Sequence, residues 1–207
     1  MMRVKVKICG LTNLEDALMA VDMGADMVGF NFYPRSQRFI DIARALDIIN
    51  KIPTFVDTVG IFVNPTIEDI RDVAEQGFLN WIQLHGDETV EFCDSLRWMT
   101  TRTIKAIRVK DRRDIETAKA YFTDAVLFDT FVDGAYGGTG QRFDWRQIDP
   151  SYRRVFLAGG ITPDNVAQAV ETGAYAIDVC SGIESRPGKK DYLMMRQLFE
   201  NIRHIRG

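Results

Sequence analysis

Val4-Lys5-Val6-Lys7-Ile8-Cys9-Gly10 alternates apolar and basic residues with period two, stops at a glycine, and gives way to Leu11-Thr12-Asn13 and a helical pattern. Such alternation marks a strand and the glycine marks its end, so Cys9 is the strand's last side chain. In sheets built from strand-helix repeats, ligands gather at the carboxyl ends of the strands. A thiol there faces a substrate or fills the mouth of a barrel. Free cysteine is also among the most buried residue types, so this stretch alone favours a structural thiol. The rest of the chain reverses that preference.

Downstream, Asn13 can cap a helix carrying Leu14, Ala17, Leu18 and Val21 at helical spacing, and Gly24 ends it. The apolar run 27–32 then reads as a buried strand, followed by the basic loop Tyr33-Pro34-Arg35-Ser36-Gln37-Arg38. The same unit recurs as helix 42–49 and strand 57–63, a helix opened by Pro65-Thr66 and strand 81–84, helix 88–96 and strand 103–109, and helix 113–121 and strand 125–128, which ends on Asp129. Strand 155–158 runs into Gly159-Gly160 with a helix from Pro163, and strand 176–179 runs into Ser181-Gly182 before a final helix. Eight strand-helix units in 207 residues without a linker predict a (β/α)8 TIM barrel, one domain over 1–207. A doubly wound sheet, the alternative, normally uses fewer strands and one switch point, whereas here polar stretches follow at least five strands.

Composition narrows the function classes. With 46% hydrophobic and 27% charged residues and a net charge of -3, the chain offers no general attraction to nucleic acid or anionic membrane. Its three cysteines, Cys9, Cys93 and Cys180, are widely spaced and odd in number, which argues against a disulfide framework and a zinc site. No signal peptide or membrane span is expected, and a reducing cytoplasm fits.

Several strand ends carry candidate chemistry. Gly159-Gly160 and Ser181-Gly182 follow the last two strands, where barrels commonly hold a phosphate with backbone N–H groups; alone, either pair could simply turn the chain. The glycine-dense stretch 133–140, which includes Gly138, follows the Asp129 strand and reads as a cover over the mouth, with a flexible linker as the plainer alternative. Arg35 and Arg38 could fork onto a carboxylate or phosphate, although loop arginines are often merely solvated. Gln83 and His85 at the end of strand 81–84 could touch a ligand or satisfy the rim, and no metal-ligand spacing surrounds them.

Taken in order, Lys7-Ile8-Cys9-Gly10-Leu11-Thr12, the stretch from Gly29 to Arg38, Val59-Gly60-Ile61-Phe62-Val63-Asn64, Gln83-Leu84-His85-Gly86, Phe128-Asp129-Thr130, Tyr136-Gly137-Gly138-Thr139-Gly140, Leu157-Ala158-Gly159-Gly160, the stretch from Asp178 to Glu184 and Pro187-Gly188-Lys189-Lys190-Asp191 resemble the phosphoribosylanthranilate isomerase family from end to end. Each motif is weak by itself, but their shared order is highly specific. The resemblance implies a cofactor-free and metal-free (β/α)8 enzyme of tryptophan biosynthesis that converts N-(5-phosphoribosyl)anthranilate to the carboxyphenylamino-deoxyribulose phosphate. It also implies Cys9 as base, Asp129 as acid and Arg38 on the anthranilate carboxylate. Backbone groups around Gly159, Gly160, Ser181 and Gly182 would hold the phosphate, with Gln83, His85 and Gly138 completing the pocket. The implied partner is this small phosphosugar-anthranilate alone, and the chain is taken as a monomer, with a dimer the alternative.

The chemistry is consistent with those groups. An Amadori rearrangement needs an acid for the furanose ring oxygen and a base for the C2′ proton. Cys9 can be that base where the site stabilises a thiolate, and Asp129 that acid where it is held protonated. The reverse assignment remains the internal rival. Two departures from the family pattern stand out: Cys180 where Ser is more usual, and Asn31 where an apolar residue is expected. An epimerase or aldolase barrel would want a His/Asp metal set or a Schiff-base lysine at a strand end, and the chain has only His85 and His204, with Lys105 its main strand lysine. A catalytically silent phosphate-binding barrel is disfavoured by Cys9 and Asp129 standing on two strand ends.

Overall fold

A computed structural model of the chain describes residues 3–131, 137, 143–149 and 154–206. Eight parallel strands close into a barrel in chain order: β1 (Lys5–Ile8), β2 (Met27–Asn31), β3 (Asp57–Phe62), β4 (Trp81–Leu84), β5 (Arg102–Val109), β6 (Ala125–Thr130), β7 (Val155–Leu157) and β8 (Ala176–Val179). Closure is made by β1 against β8, with Lys7 opposite Asp178 and Ile8 opposite Val179. The helices are α1 (Leu14–Met23), α2 (Ile42–Ile49), α3 (Ile67–Ala74), α4 (Val90–Ser95), α5 (Arg112–Thr117), α6 (Val166–Glu171) and α7 (Tyr192–Arg206). Among the described residues no helix is long and apolar enough to cross a membrane.

The period of two sorts side chains between two cores. Val4, Val6 and Ile8 of the first strand region point outward and pack with Ala17 and Ala20 of α1, while Met27, Val59, Ile61, Trp81, Ile104, Leu127 and Phe156 fill the barrel interior. Each such large apolar side chain, once fully buried, contributes about 1.5–3 kcal/mol relative to exposure. The basic residues of β1 therefore face inward, and Lys7 is fully buried on the barrel axis. Its ammonium is tolerated there because Nζ donates to Asp178 Oδ2 at 2.9 Å.

Local signals set the helix ends. The Asn13 side chain accepts from Asp16 N–H at 2.9 Å, Gly24 closes α1 in the left-handed region at φ 107°, and Thr66 with Asp69 forms a capping box for α3. Three expectations are corrected. The 113–121 helix is α5 followed by a 3-10 turn at Ala118–Ala120, and the helix expected from Pro163 begins at Val166. After β6 the described residues hold only a 3-10 turn, Trp145–Gln147, so seven α-helices rather than eight are seen among them. An unforeseen antiparallel hairpin, β9 (Glu184–Arg186) with β10 (Lys189–Lys190), stands between β8 and α7.

Candidate active site

At the carboxyl end of the barrel a cavity of about 570 Å³ is lined by Cys9, Arg38, His85, Asp129, Gly159, Gly160, Cys180, Ser181 and Gly182, among others. Residues expected from separate strand ends thus meet at one mouth. Gln83 is an exception: it lies fully buried one layer beneath, under His85. Gly138 and most of the glycine-dense loop lie outside the described residues. Gly137 is described, and a methyl group on it would stand 3.0 Å from Asp129 Oδ2 and 3.2 Å from His85 Nε2. That places Gly137 directly against the carboxyl group.

Cys9 leaves the end of β1 with its N–H donating to Val179 O at 2.9 Å, which sets its thiol beside that of Cys180. The Cys180 thiol and burial push Cys9 up, while the Lys7 ammonium draws it down. Its partner moves the other way. Cys180 is pushed down to about 7, chiefly by the hydrogen bond from Cys9 and, against burial, by Lys190 and Arg38. The two thiols therefore release a first proton near neutrality and share the resulting charge.

Asp129, the next-to-last residue of β6, is almost wholly buried. Its Oδ1 accepts the Thr130 N–H at 2.8 Å, and its Oδ2 lies 3.2 Å from His85 Nε2. Gln83 Nε2 sits 2.7 Å from His85 Nδ1, and Gln83 Oε1 has no partner among the described residues. The three side chains form a line from the barrel interior to the mouth.

Arg38 is held in a fork by Glu184: Nε donates to Oε1 at 3.0 Å and Nη2 to Oε2 at 2.7 Å. Burial opposes both charges, yet Arg38 and Lys190 hold Glu184 below its usual range, and Glu184 raises Arg38. Lys190, fully buried in its side chain, donates to Glu184 Oε1 at 2.9 Å and to the Cys180 carbonyl at 3.2 Å. The β9–β10 hairpin thus braces the loop after β2. Asn31 serves that loop too, since its Oδ1 accepts from Tyr33 N–H at 2.9 Å and its Nδ2 donates to Ser36 Oγ at 3.1 Å.

The last two strand ends touch. A methyl group on Gly182 would fall 1.9 Å from the Ile161 carbonyl oxygen, so only glycine lets the loops after β7 and β8 converge. Gly159, at φ +87°, would bring a methyl 2.4 Å from Thr130 Oγ1. The loops after β7 and β8 thereby converge at one side of the mouth, and Gly159, Gly160, Ser181 and Gly182 all line the cavity there.

Four participants escaped the reading of the sequence: Lys7, Asp178, Glu184 and Lys190. Parity with Cys9 and Cys180 along β1 and β8 could have found the first two, whereas Glu184 and Lys190 reach the site through a hairpin with no local signature. Lys105 is withdrawn as a Schiff-base candidate, because its Nζ is buried against Glu88 Oε2 at 2.5 Å and the Gly86 carbonyl at 2.8 Å, away from the mouth. Among the described residues no group of three or more His, Cys, Asp or Glu could hold a metal ion.

A closed (β/α)8 barrel with thiols and a carboxyl group facing one mouth, beside two converging glycine loops, has the architecture of an enzyme for a small phosphorylated substrate. The family model described as N-(5'phosphoribosyl)anthranilate (PRA) isomerase matches residues 6–201, and the chain belongs to this family. Its sequence is 44% identical over 206 residues to N-(5'-phosphoribosyl)anthranilate isomerase of Thermotoga neapolitana, covering 98% of this chain and 100% of that one. Its structure resembles monomers generated from the dimeric Thermotoga maritima enzyme, with a TM-score of 0.86 and 41% identity over 97% of this chain and 99% of that one. It also resembles a phosphoribosyl anthranilate isomerase solved in complex with reduced 1-(o-carboxyphenylamino)-1-deoxyribulose 5-phosphate, with a TM-score of 0.84 and 41% identity over the same shares of each chain.

Proposed function

We propose that this chain catalyses the Amadori rearrangement of N-(5-phosphoribosyl)anthranilate to 1-(2-carboxyphenylamino)-1-deoxyribulose 5-phosphate, a step of tryptophan biosynthesis, with Asp129 as acid and Cys9 as base. The observation that carries the reading is the inward layer at the mouth, where Cys9 and Asp129 stand three strands apart around one cavity, between Arg38 on one side and the glycine loops on the other. A product-like molecule with a carboxylate at one end and a phosphate at the other matches that spread.

Asp129 gives its proton to the furanose oxygen, the ring opens, and the nitrogen lone pair forms an iminium at C1′. Cys9 thiolate then removes the C2′ proton, so that the electrons of the C–H bond neutralise the iminium and leave an enolamine. Return of that proton from the Cys9 thiol to C1′, with the C2′ hydroxyl proton passing to the Asp129 carboxylate, gives the ketone and restores both groups. Lys7 beneath Cys9 favours the thiolate, and the first proton lost from the thiol pair near neutrality makes one available. Gln83 and His85 act as positioning residues for Asp129. Turning the Gln83 amide over would let its unpartnered Oε1 accept the Nδ1 proton, leaving His85 Nε2 to accept from protonated Asp129, the form the acid requires.

Arg38, with Nε and Nη2 committed to Glu184, keeps Nη1 for the anthranilate carboxylate, and the amides around Gly159, Gly160, Ser181 and Gly182 take the phosphate. Anchoring both ends orients the substrate, an effect worth about 7 kcal/mol of barrier or more in favourable cases. One chain supplies all these groups, so a single copy can be the functional unit, and its three free cysteines fit a reducing cytoplasm. Sedimentation velocity tests that against the dimer of the Thermotoga relative. The activity itself is tested by the loss of the substrate's anthranilate fluorescence when purified protein meets N-(5-phosphoribosyl)anthranilate. A rate equal to the uncatalysed one would end the proposal.

A further inference from the structure

Two cysteines in one active-site mouth, one of them unusual for the family pattern, raise a chemistry that the isomerisation does not use. β1 and β8 pair in parallel with Ile8 opposite Val179, so the next residues, Cys9 and Cys180, are register neighbours at the strand ends. Adjacent strands lie about 4.8 Å apart, inside the roughly 4.4–6.8 Å Cα separation that a disulfide spans. Both thiols line the mouth cavity, half-buried and reachable by a small solute. The chain beside Cys9 closes on the same sulfur, since a methyl on Gly10 would stand 3.0 Å from Cys180 Sγ.

From these positions we infer that Cys9 and Cys180 are an oxidisable pair, closing to a disulfide across the barrel mouth when a peroxide enters it. The charged groups around the pair favour the reaction. Lys7 and Asp178 face it from β1 and β8 below, Arg38 from the loop after β2, and Glu184 and Lys190 from the hairpin. Three cations against two carboxylates leave the pocket net positive, and Cys180, pushed down to about 7, is partly thiolate at neutral pH.

The thiolate of Cys180 attacks one oxygen of hydrogen peroxide, the O–O bond breaks, and hydroxide leaves, so that sulfur becomes a sulfenic acid and peroxide is reduced. Cys9 sulfur then attacks that sulfur, the S–O bond breaks, and the departing hydroxide takes up a proton as water. Overall two thiols and one peroxide give one disulfide and two waters. The consequence for turnover rests on the reading of Cys9 as base, because a sulfur in a disulfide cannot accept the C2′ proton. The third thiol is an internal control: Cys93 lies buried in α4, where burial pushes it up to about 11.

The test uses the purified full chain treated with hydrogen peroxide at a few equivalents. Free thiols should fall from three to one, digestion without reductant should release a linked Cys9–Cys180 peptide, and activity should fall in step and return with dithiothreitol. Under the same dose Cys180→Ser should give no linked peptide and lose its own starting activity at least about tenfold more slowly. Inactivation at equal rates in both proteins, or of wild type with no linked peptide, overturns the inference. A quantitative link between Cys9 and Cys180 with turnover intact would support the disulfide and overturn Cys9 as the base, so the two readings fail separately.

Discussion

The Glu184 carboxylate grips the edge of the Arg38 guanidinium, taking Nε at 3.0 Å and Nη2 at 2.7 Å, and is itself tied down by Lys190 at 2.9 Å. An arginine fixed in this way offers its remaining edge to a ligand without losing rotamer entropy on binding. Arg38→Ala should lower kcat/KM roughly 10- to 100-fold, the range of a lost charge-assisted hydrogen bond, with the melting temperature little changed. Arg38→Lys should recover only part, since an ammonium has no planar fork. Glu184→Gln should raise KM more than it lowers kcat, because Arg38 remains present but loses its charged brace. Steady-state kinetics on the three variants checks this, and an unchanged KM in Arg38→Ala would remove Arg38 from the site.

The approach of Gly182 to the Ile161 carbonyl, where an added methyl would sit at 1.9 Å, makes a second expectation specific. Gly182→Ala must push the loops after β7 and β8 apart, since neither atom is the end of a flexible side chain. Stability should drop by about 1–3 kcal/mol as for an overpacked site. KM should rise well beyond what that loss explains, and weak competition by inorganic phosphate should disappear. A bound phosphate found beside Arg35 with the Gly159-Gly160 and Ser181-Gly182 amides empty would contradict the assignment.

Buried Lys7 makes stability and catalysis separable. Lys7→Met leaves Asp178 as an unpaired charge inside the barrel, which typically costs about 3–5 kcal/mol, measured by urea denaturation. Adding Asp178→Leu should restore much of that stability. It should not restore rate at low pH. The ammonium of Lys7 draws Cys9 down, so without it the thiolate forms only at higher pH and the acidic limb of kcat/KM moves upward in both variants. A limb that stays in place would mean that Lys7 only supports the fold.

How much of this could be read beforehand follows from the range of the forces involved. Alternation in 4–10, the helix start at Thr66 and the stops at Gly24 and the strand-end glycines are local signals, and the barrel was legible from them. Strand ends were equally local, so Cys9, Asp129, Gly159 and Ser181 could be named as candidates. The inward face of β1 was misleading to hydropathy, because Lys7 is buried by a partner 171 positions away. Glu184 acts on Arg38 across 146 positions through a hairpin whose pairing no propensity announces. The thiol of Cys180 reads as an isolated departure until closure of β8 on β1 sets it against Cys9.

The catalytic pair gives the most direct expectation. Cys9→Ser keeps the size of the side chain but exchanges a thiol for a hydroxyl that effectively cannot ionise near neutrality. Asp129→Asn keeps shape and hydrogen bonding but has no proton to give to the ring oxygen. Each should fold, by unchanged circular dichroism and melting, and each should lose about 10² to 10⁴ in kcat. Wild-type kcat/KM should fall as pH drops through about 7, where the thiol pair regains the proton that the base must lack. Cys93→Ser should keep that limb, since its thiol is buried in α4. In Cys9→Ser the limb should change shape, because the thiol that Cys180 borrows its proton bond from is gone. If instead Cys9→Ser kept near-normal kcat while Cys180→Ser abolished it, the base would be the thiol at the end of β8, and the roles of the two sulfurs would have to be exchanged.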